Sequence, residues 1–331
     1  VVGVTMPVTK HNVLVRDVEE LADDVRNAMA IAMEGRPGPV LVDVPKDVQN
    51  QKAEYQVPGV RGQREVPRHL TPDTCPLEQV AQLIASAERP LLMIGHGVIV
   101  SEAYAAIRAL AELTGMPVIT TLLGISAFPQ AHELHLGMPG MHGEVHVNKA
   151  IQAADLIIGI GMRFDDRVTG NTATFAPCAK IVHVDIDAAA IGRNVPVAIG
   201  VVGDARQVVE CLLTVVAPRE CLAWRKEIAA LARNRDEAFA GGLSPEVILS
   251  ALADVTGGHC TVVSDVGQHQ MWVAQRYPFQ RPNTHITSGG LGAMGFAVPA
   301  AMGVHLARPG EPVWAISGDG GFQMNMAEIA T

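Results

Sequence analysis

The sequence contains no apolar run approaching the roughly 20 residues that a membrane-spanning helix requires. Aromatic residues make up only 4% of the chain, and none interleave with a basic cluster. With 25 Lys and Arg against 34 Asp and Glu, the net charge of -9 argues against a nucleic-acid or anionic-membrane surface. The five cysteines (Cys75, Cys178, Cys211, Cys221, Cys260) are odd in number, scattered and without a Cys-x-x-Cys. That fits reduced cytosolic thiols better than a disulfide framework, so a cytoplasmic location is expected. The chain opens Val1-Val2-Gly3-Val4-Thr5, without an initiating Met or a signal-peptide pattern, so it is expected to start within a domain. What is abundant is apolar residue: 48% against 18% charged, over 331 positions. This is enough for two or three buried cores.

Between Asp17 and Ala32 apolar residues recur at helical spacing, with Gly35 as a stop, and Val40-Leu41-Val42-Asp43-Val44-Pro45 reads as a buried strand. One helix and one strand cannot enclose a core, so residues 1–52 are expected to be the tail of a larger unit. From Lys46 to about Pro72 the chain is polar and proline-bearing, an inter-domain linker. Residues 72–218 then alternate regularly. Helices are expected at Leu77 to Ala87 and Glu102 to Thr114. Strands are expected at Leu91 to Gly95, Pro117 to Thr121, Leu156 to Ile160, Ile181 to Asp185 and Val197 to Val202. This is the pattern of a doubly wound parallel α/β sheet. A third segment, 222–331, opens with an expected charged surface helix from Leu222 to Ala240. Ser244-Pro245 then starts a helix, Thr261 to Asp265 forms a strand, and Pro312 to Ser317 forms another.

Candidate site residues lie at the carboxyl ends of these strands. Gly318-Asp319-Gly320-Gly321-Phe322-Gln323-Met324-Asn325 reads as a glycine turn between a strand and a helix starting near Met326. Glycine N–H groups and a helix N-terminus attract phosphate, and an acidic residue among them implies an intervening cation. Asp319 is therefore a candidate ligand of a hard divalent ion such as Mg2+, shared with diphosphate oxygens. Gly95-His96-Gly97, Gly161-Met162-Arg163, Asp185-Ile186-Asp187 and Gly203-Asp204 end strands where a nucleotide could lie, or simply turn the chain. Arg163 can offer a planar donor fork to a flavin or diphosphate oxygen, and Asp185 can accept from a ribose hydroxyl. In Ser288-Gly289-Gly290-Leu291-Gly292-Ala293-Met294-Gly295-Phe296, Met294 stands among small residues, as a wedge or as core filling. His142 and His146 are four apart, but no Glu completes a His-Glu-x-x-His frame. A flavin or substrate-channel contact by His142 is the better reading.

Taken together, Gly318 to Glu328, Ser288 to Phe296, Val266-Gly267-Gln268-His269-Gln270-Met271-Trp272, Gly140-Met141-His142-Gly143 and Arg163-Phe164-Asp165-Asp166-Arg167-Val168-Thr169-Gly170 resemble the thiamine-diphosphate enzymes. Within them the resemblance is to the acetohydroxyacid synthase (acetolactate synthase) catalytic subunits. It spans Thr9 to Glu328 and implies a three-domain architecture with the first and third domains truncated: 1–52 pyrimidine-binding, 72–218 central FAD-binding, 222–331 diphosphate-binding. The implied cofactors are thiamine diphosphate, Mg2+ and FAD. For thiamine diphosphate it implies contacts from Gly267, Gln268, His269, Gly292, Met294, Gly318, Asp319, Gly320 and Gly321, with Asp319 on the metal and Met294 propping the two rings. For FAD, whose role is structural, it implies Arg68, Gly95, His96, Gly97, Thr121, Leu122, Met141, His142, Gly161, Arg163, Asp165, Arg167, Val168, Asp185, Ile186 and Asp204. His96 departs from the glycine that many members carry, and Arg167 would also face the substrate entrance.

The implied reaction decarboxylates pyruvate and ligates its two-carbon unit to pyruvate or 2-ketobutyrate, in branched-chain amino-acid synthesis. A homodimer or homotetramer, with a possible regulatory small subunit, is implied too. The resemblance puts the activating glutamate before Val1 and the closing asparagines after Thr331, so this polypeptide alone is expected to be inactive. The alternatives are another thiamine-diphosphate enzyme, such as glyoxylate carboligase or oxalyl-CoA decarboxylase, and a plain nucleotide-binding module.

Overall fold

The computed structural model describes residues 1–53, 75–232 and 243–331. Two compact units result, Val1–Thr71 and Pro72–Thr331. Most of the expected linker, Arg68 within it, and the far end of the expected 222–240 helix lie outside the described residues.

In the first unit, β1 (His11–Leu14) and β2 (Val40–Asp43) pair in parallel, joined by the helix Leu21–Met33. The helix starts four residues later than its periodicity suggests. The Asp17 carboxylate accepts the Glu19 N–H at 3.0 Å, and this Asx turn holds the preceding residues out of the helix. Beyond the helix Gly35 takes φ +54°, the left-handed conformation that glycine adopts without steric cost.

The second unit holds two parallel sheets. The larger consists of β3 (Pro90–Ile94), β4 (Val118–Thr120), β5 (His135–Gly137), β6 (Leu156–Ile160), β7 (Lys180–Asp185) and β8 (Ile199–Val202). Their order is β5-β4-β3-β6-β7-β8. Strand order reverses between β3 and β6, the switch point at which a crevice opens outside the carboxyl edge. Every residue of β3 and β6 is buried, as expected of central strands with helices on both faces.

The helix Leu222–Ala232 has the exposed charged face expected of it, but its other face packs on the central body. Trp224 and Ile228, one helical turn apart, are buried in the core of the larger sheet, and the Trp224 indole donates to the Pro90 carbonyl at 3.2 Å. The central body therefore extends to about Ala232.

The smaller sheet, β10-β9-β11, comprises β9 (Thr261–Ser264), β10 (His285–Thr287) and β11 (Val313–Ile316). Its helix Pro245–Thr256 is capped as expected. The Ser244 hydroxyl accepts the Val247 N–H at 3.4 Å, and Gly257 takes φ +58°. A second core gathers Leu249, Val262, Val273, Tyr277 and Phe279 with Ile125 and Met138, so the segment after β4 bridges the two sheets. The chain does not wait until Met326 to become helical: an α-helix spans Asp319–Asn325, with Gly318 as N-cap, and a 3-10 helix continues it over Met326–Ala330. Asp319 to Gly321 thus form the first turn of that α-helix instead of a preceding loop.

Candidate functional site

At the carboxyl edge of the smaller sheet, three loops converge on a buried carboxylate. Asp265 follows β9 and has no solvent exposure. Its Oδ1 accepts from the Val266 and Gly295 N–H groups at 2.7 and 3.0 Å. Its Oδ2 accepts from the Ala297 N–H and the Ser317 hydroxyl, both at 3.2 Å. Burial pushes its pKa up, but these hydrogen bonds prevail and hold it below the usual carboxylate value. Asp265 thereby ties the glycine-rich 288–296 string to the loop that leads into Asp319. Sequence reasoning placed it only as the end of a strand.

Around it lies a cradle made by missing side chains. A Cβ on Gly321 would stand 3.0 Å from the Asp265 carboxylate, and one on Gly318 3.1 Å from the His269 ring. Gly267 takes φ +150°, and a Cβ there would reach 2.9 Å from the same ring. His269 Nε2 is buried with no partner among the described residues, and burial lowers the pKa of the ring. Met294 is 46% exposed, and its Cε lies 3.5 Å from where a Gly320 Cβ would be. Asp319 is exposed at the helix start, with Oδ1 accepting the Gly320 N–H at 2.8 Å. Gly292 is exposed on the flanking loop, and Gln268 is exposed at the start of the helix Gln268–Arg276. The expected coenzyme residues therefore converge here. Among the described residues no group of three or more His, Cys, Asp or Glu is placed to hold a metal. A cation at Asp319 would need ligand oxygens and water, as Mg2+ bound beside phosphate does.

The second site is the switch point of the larger sheet. A Cβ on Gly95 would meet the Gly161 carbonyl oxygen at 2.4 Å, one on Gly97 the Gly161 Cα at 2.6 Å, and one on Gly124 the Ile94 carbonyl oxygen at 2.6 Å. Gly161 itself takes φ +61°. The main chain after β3 thus lies directly against that after β6, and only glycine permits this. His96 is exposed there, its Nδ1 3.1 Å from the Leu123 carbonyl.

The Gly140 to Gly143 and Arg163 to Gly170 strings also meet. The Met141 N–H donates to the Arg167 carbonyl at 2.9 Å, and a Cβ on Gly140 would lie 2.2 Å from that oxygen. Arg163 is exposed with its fork partly engaged, Nη2 donating to Asp165 at 2.9 Å. Arg167 and His142 are exposed, Val168 is half-buried, and the His142 carbonyl accepts from Gln275 at 2.6 Å. His146 is buried in the helix Val145–Ala153, its Nε2–H donating to the Leu136 carbonyl at 2.9 Å and lying 3.3 Å from the Glu144 carboxylate, while His142 precedes that helix.

Asp185 Oδ1 accepts the Asp187 N–H at 2.9 Å, closing the turn that carries Ile186. Asp204 N-caps the helix Ala205–Leu213 through the Arg206 and Gln207 N–H groups at 3.0 and 3.3 Å. Thr121 and Leu122 lie at the seam between the sheets. The Leu122 side chain lies 3.3 Å from where a Cβ on Gly289 would be, and its backbone accepts from the buried His285.

Comparison with known proteins accords with this geometry. Residues 77–212 match the family described as thiamine pyrophosphate enzyme, central domain, and residues 265–331 match the C-terminal TPP binding domain. The chain belongs to the thiamine-diphosphate enzyme superfamily. It is homologous to acetolactate synthase large subunits. It is 46% identical to the acetolactate synthase large subunit of Corynebacterium glutamicum over 341 residues, covering 99% of this chain and 54% of that protein. Against acetolactate synthase of Mycobacterium bovis it is 44% identical over 343 residues, covering 99% and 55%. Against the chloroplastic acetolactate synthase of Arabidopsis thaliana it is 40% identical over 345 residues, covering 100% and 51%. The chain thus spans about half the length of the curated relatives it matches.

Proposed function

We propose that the complete protein carrying this chain is a thiamine-diphosphate-dependent carboligase of the acetolactate synthase type. It would join the two-carbon unit of pyruvate to a second 2-keto acid, pyruvate or 2-ketobutyrate. The observation that carries this is the cradle formed by Gly267, His269, Met294 and Gly318 to Gly321 on a chain at least 40% identical, over its whole length, to these three acetolactate synthases.

Bound here, thiamine diphosphate supplies the carbon acid on which 2-keto acids decarboxylate. The chain's own part is to bind and orient. Three N–H groups at the start of the helix Asp319–Asn325 precede its first intrahelical bond, from the Phe322 N–H to the Gly318 carbonyl, and Asp319 occupies that of Gly320. Those remaining, with the unpartnered His269 Nε2, suit diphosphate oxygens. Asp319 would hold Mg2+ against the same oxygens. Met294, resting over Gly320, would set the angle between the two rings.

FAD is the proposed occupant of the switch point. There the main chain after β3 packs through glycines against that after β6 at the carboxyl edge, where dinucleotides bind in such sheets, and Asp185 stands at the end of the neighbouring β7. Arg167, exposed beside the fixed 140–143 turn, is the proposed residue at the substrate entrance. The partners proposed are a second copy of the chain and a regulatory subunit.

Assay of the complete gene product with pyruvate and with glyoxylate tests this reading. Acetolactate should form from pyruvate and require both thiamine diphosphate and Mg2+. Turnover of glyoxylate alone, or product without the coenzyme, would contradict it.

A further inference from the structure

Gly295, immediately after Met294, is held from both sides. Its N–H donates to Asp265 Oδ1 at 3.0 Å, and its carbonyl accepts from Asn325 Nδ2 at 2.5 Å. It takes φ +82°, and a Cβ there would lie 2.7 Å from Asn325 Nδ2 and 3.2 Å from the Met324 Cβ. Two residues on, the Ala297 N–H is bonded to the other oxygen of Asp265. The two holding residues come from different elements: Asp265 from the end of β9, Asn325 from the end of the helix that Asp319 begins. Neither belongs to the residues expected to touch the coenzyme.

We infer that Asp265 and Asn325 are positioning residues that clamp Gly295, and so fix Met294 over the glycine turn in the geometry the coenzyme requires before it binds. The inference rests on the coenzyme reading above. The loop from Ser288 to Phe296 has four glycines and little side chain to pack, so its shape depends on such bonds. A carboxylate suits the task because one group serves four donors, and with its bonds made it remains ionised. Asn325 links the Met294 loop to the helix bearing Asp319, so the ring-binding and diphosphate-binding parts of the cradle move as one body.

The test uses the complete gene product with Asp265→Asn, Asn325→Ala and, for comparison, Ser317→Ala. Asn at 265 keeps one acceptor oxygen but turns an amide donor toward Ala297 and Ser317, both of which donate to the carboxylate. Amide hydrogen exchange is followed without coenzyme, and affinity for thiamine diphosphate is measured by calorimetry with Mg2+ present. Asp265→Asn should speed exchange at Gly295 and Ala297 about tenfold and weaken coenzyme binding about tenfold. Protection of the helix Pro245–Thr256 and the KM for pyruvate should stay unchanged. Asn325→Ala should weaken coenzyme binding about threefold, and Ser317→Ala less than either.

Wild-type exchange and affinity in Asp265→Asn would overturn the inference. Should that variant fail to fold, the same result in Asn325→Ala decides against it. If the unaltered protein binds no thiamine diphosphate, the coenzyme reading falls. Exchange at Gly295 and Ala297 then still reports whether the clamp exists.

Discussion

Replacing His285 by Asn should flatten the acid sensitivity of the smaller sheet. The ring of His285 lies in the core beside Phe279, with centroids 4.9 Å apart. Burial lowers its pKa from 6.5 to about 4, against the opposing effect of its hydrogen bond to the Leu122 backbone. The folded-state pKa is depressed, so between these values the unfolded chain binds more protons than the native one. Stability therefore rises with pH across that window and is lost as pH falls from about 6.5 toward 4. A shift of this size corresponds to about 3 kcal/mol over the whole window, or roughly 1 kcal/mol per pH unit.

His135, also lowered to about 4 by burial and by its neighbour His132, acts in the same window, and His183 and His269, which burial lowers too, act in the same sense below pH 6.5. Asp265 and Glu311, held below the usual carboxylate range, contribute stability that is lost at lower pH. The contribution of His285 is isolated by difference. Exchange of the β9 and β10 amides, measured in urea between about pH 4.5 and 7.5, gives local stability for the unaltered protein and for His285→Asn. The variant should start less stable at neutral pH, having lost packing, but show a slope smaller by about 1 kcal/mol per pH unit. Equal slopes would refute the reasoning, because they would mean that the buried ring does not titrate differently from a free one.

Three further outcomes follow from the geometry. Gly97→Ala forces a methyl to within 2.6 Å of the Gly161 Cα, and should cost about 1–3 kcal/mol and, on the FAD proposal above, diminish flavin retention. Denaturant titration and flavin absorbance check this. Ser244→Ala removes the acceptor for the Val247 N–H and should cost about 1 kcal/mol in the same titration, without effect on coenzyme affinity. Trp224→Phe removes the indole donor to Pro90 and should cost roughly 1 kcal/mol by thermal unfolding, because Trp224 belongs to the core of the larger sheet.

The alternation of helix and strand in residues 77–202 was legible because its central strands are buried on both faces and read as unbroken apolar runs. The strands β1, β5 and β10 were not. Each has three or four residues and carries His, Asn or Thr, too short and too polar to show a period, so their pairing is set by the neighbouring strand. Leu222 to Ala232 is a surface helix, as its charged residues indicate, but its packing on the central core was not legible from them, although Trp224 and Ile228 at i and i+4 mark a buried stripe. Among site residues, the glycine strings pointed to both crevices. Asp265 stayed hidden because an Asp ending a strand is commonplace, and most of its donors lie 30 to 52 positions away at Gly295, Ala297 and Ser317.

The most direct test of the central claim is titration of the complete gene product with thiamine diphosphate in the presence and absence of Mg2+, repeated with Asp319→Ala. Saturable, Mg2+-dependent binding that is lost in the variant is the predicted result. Binding that ignores the cation, or that survives the loss of the Asp319 carboxylate unchanged, would contradict the assignment of the β9 to β11 edge as the coenzyme site.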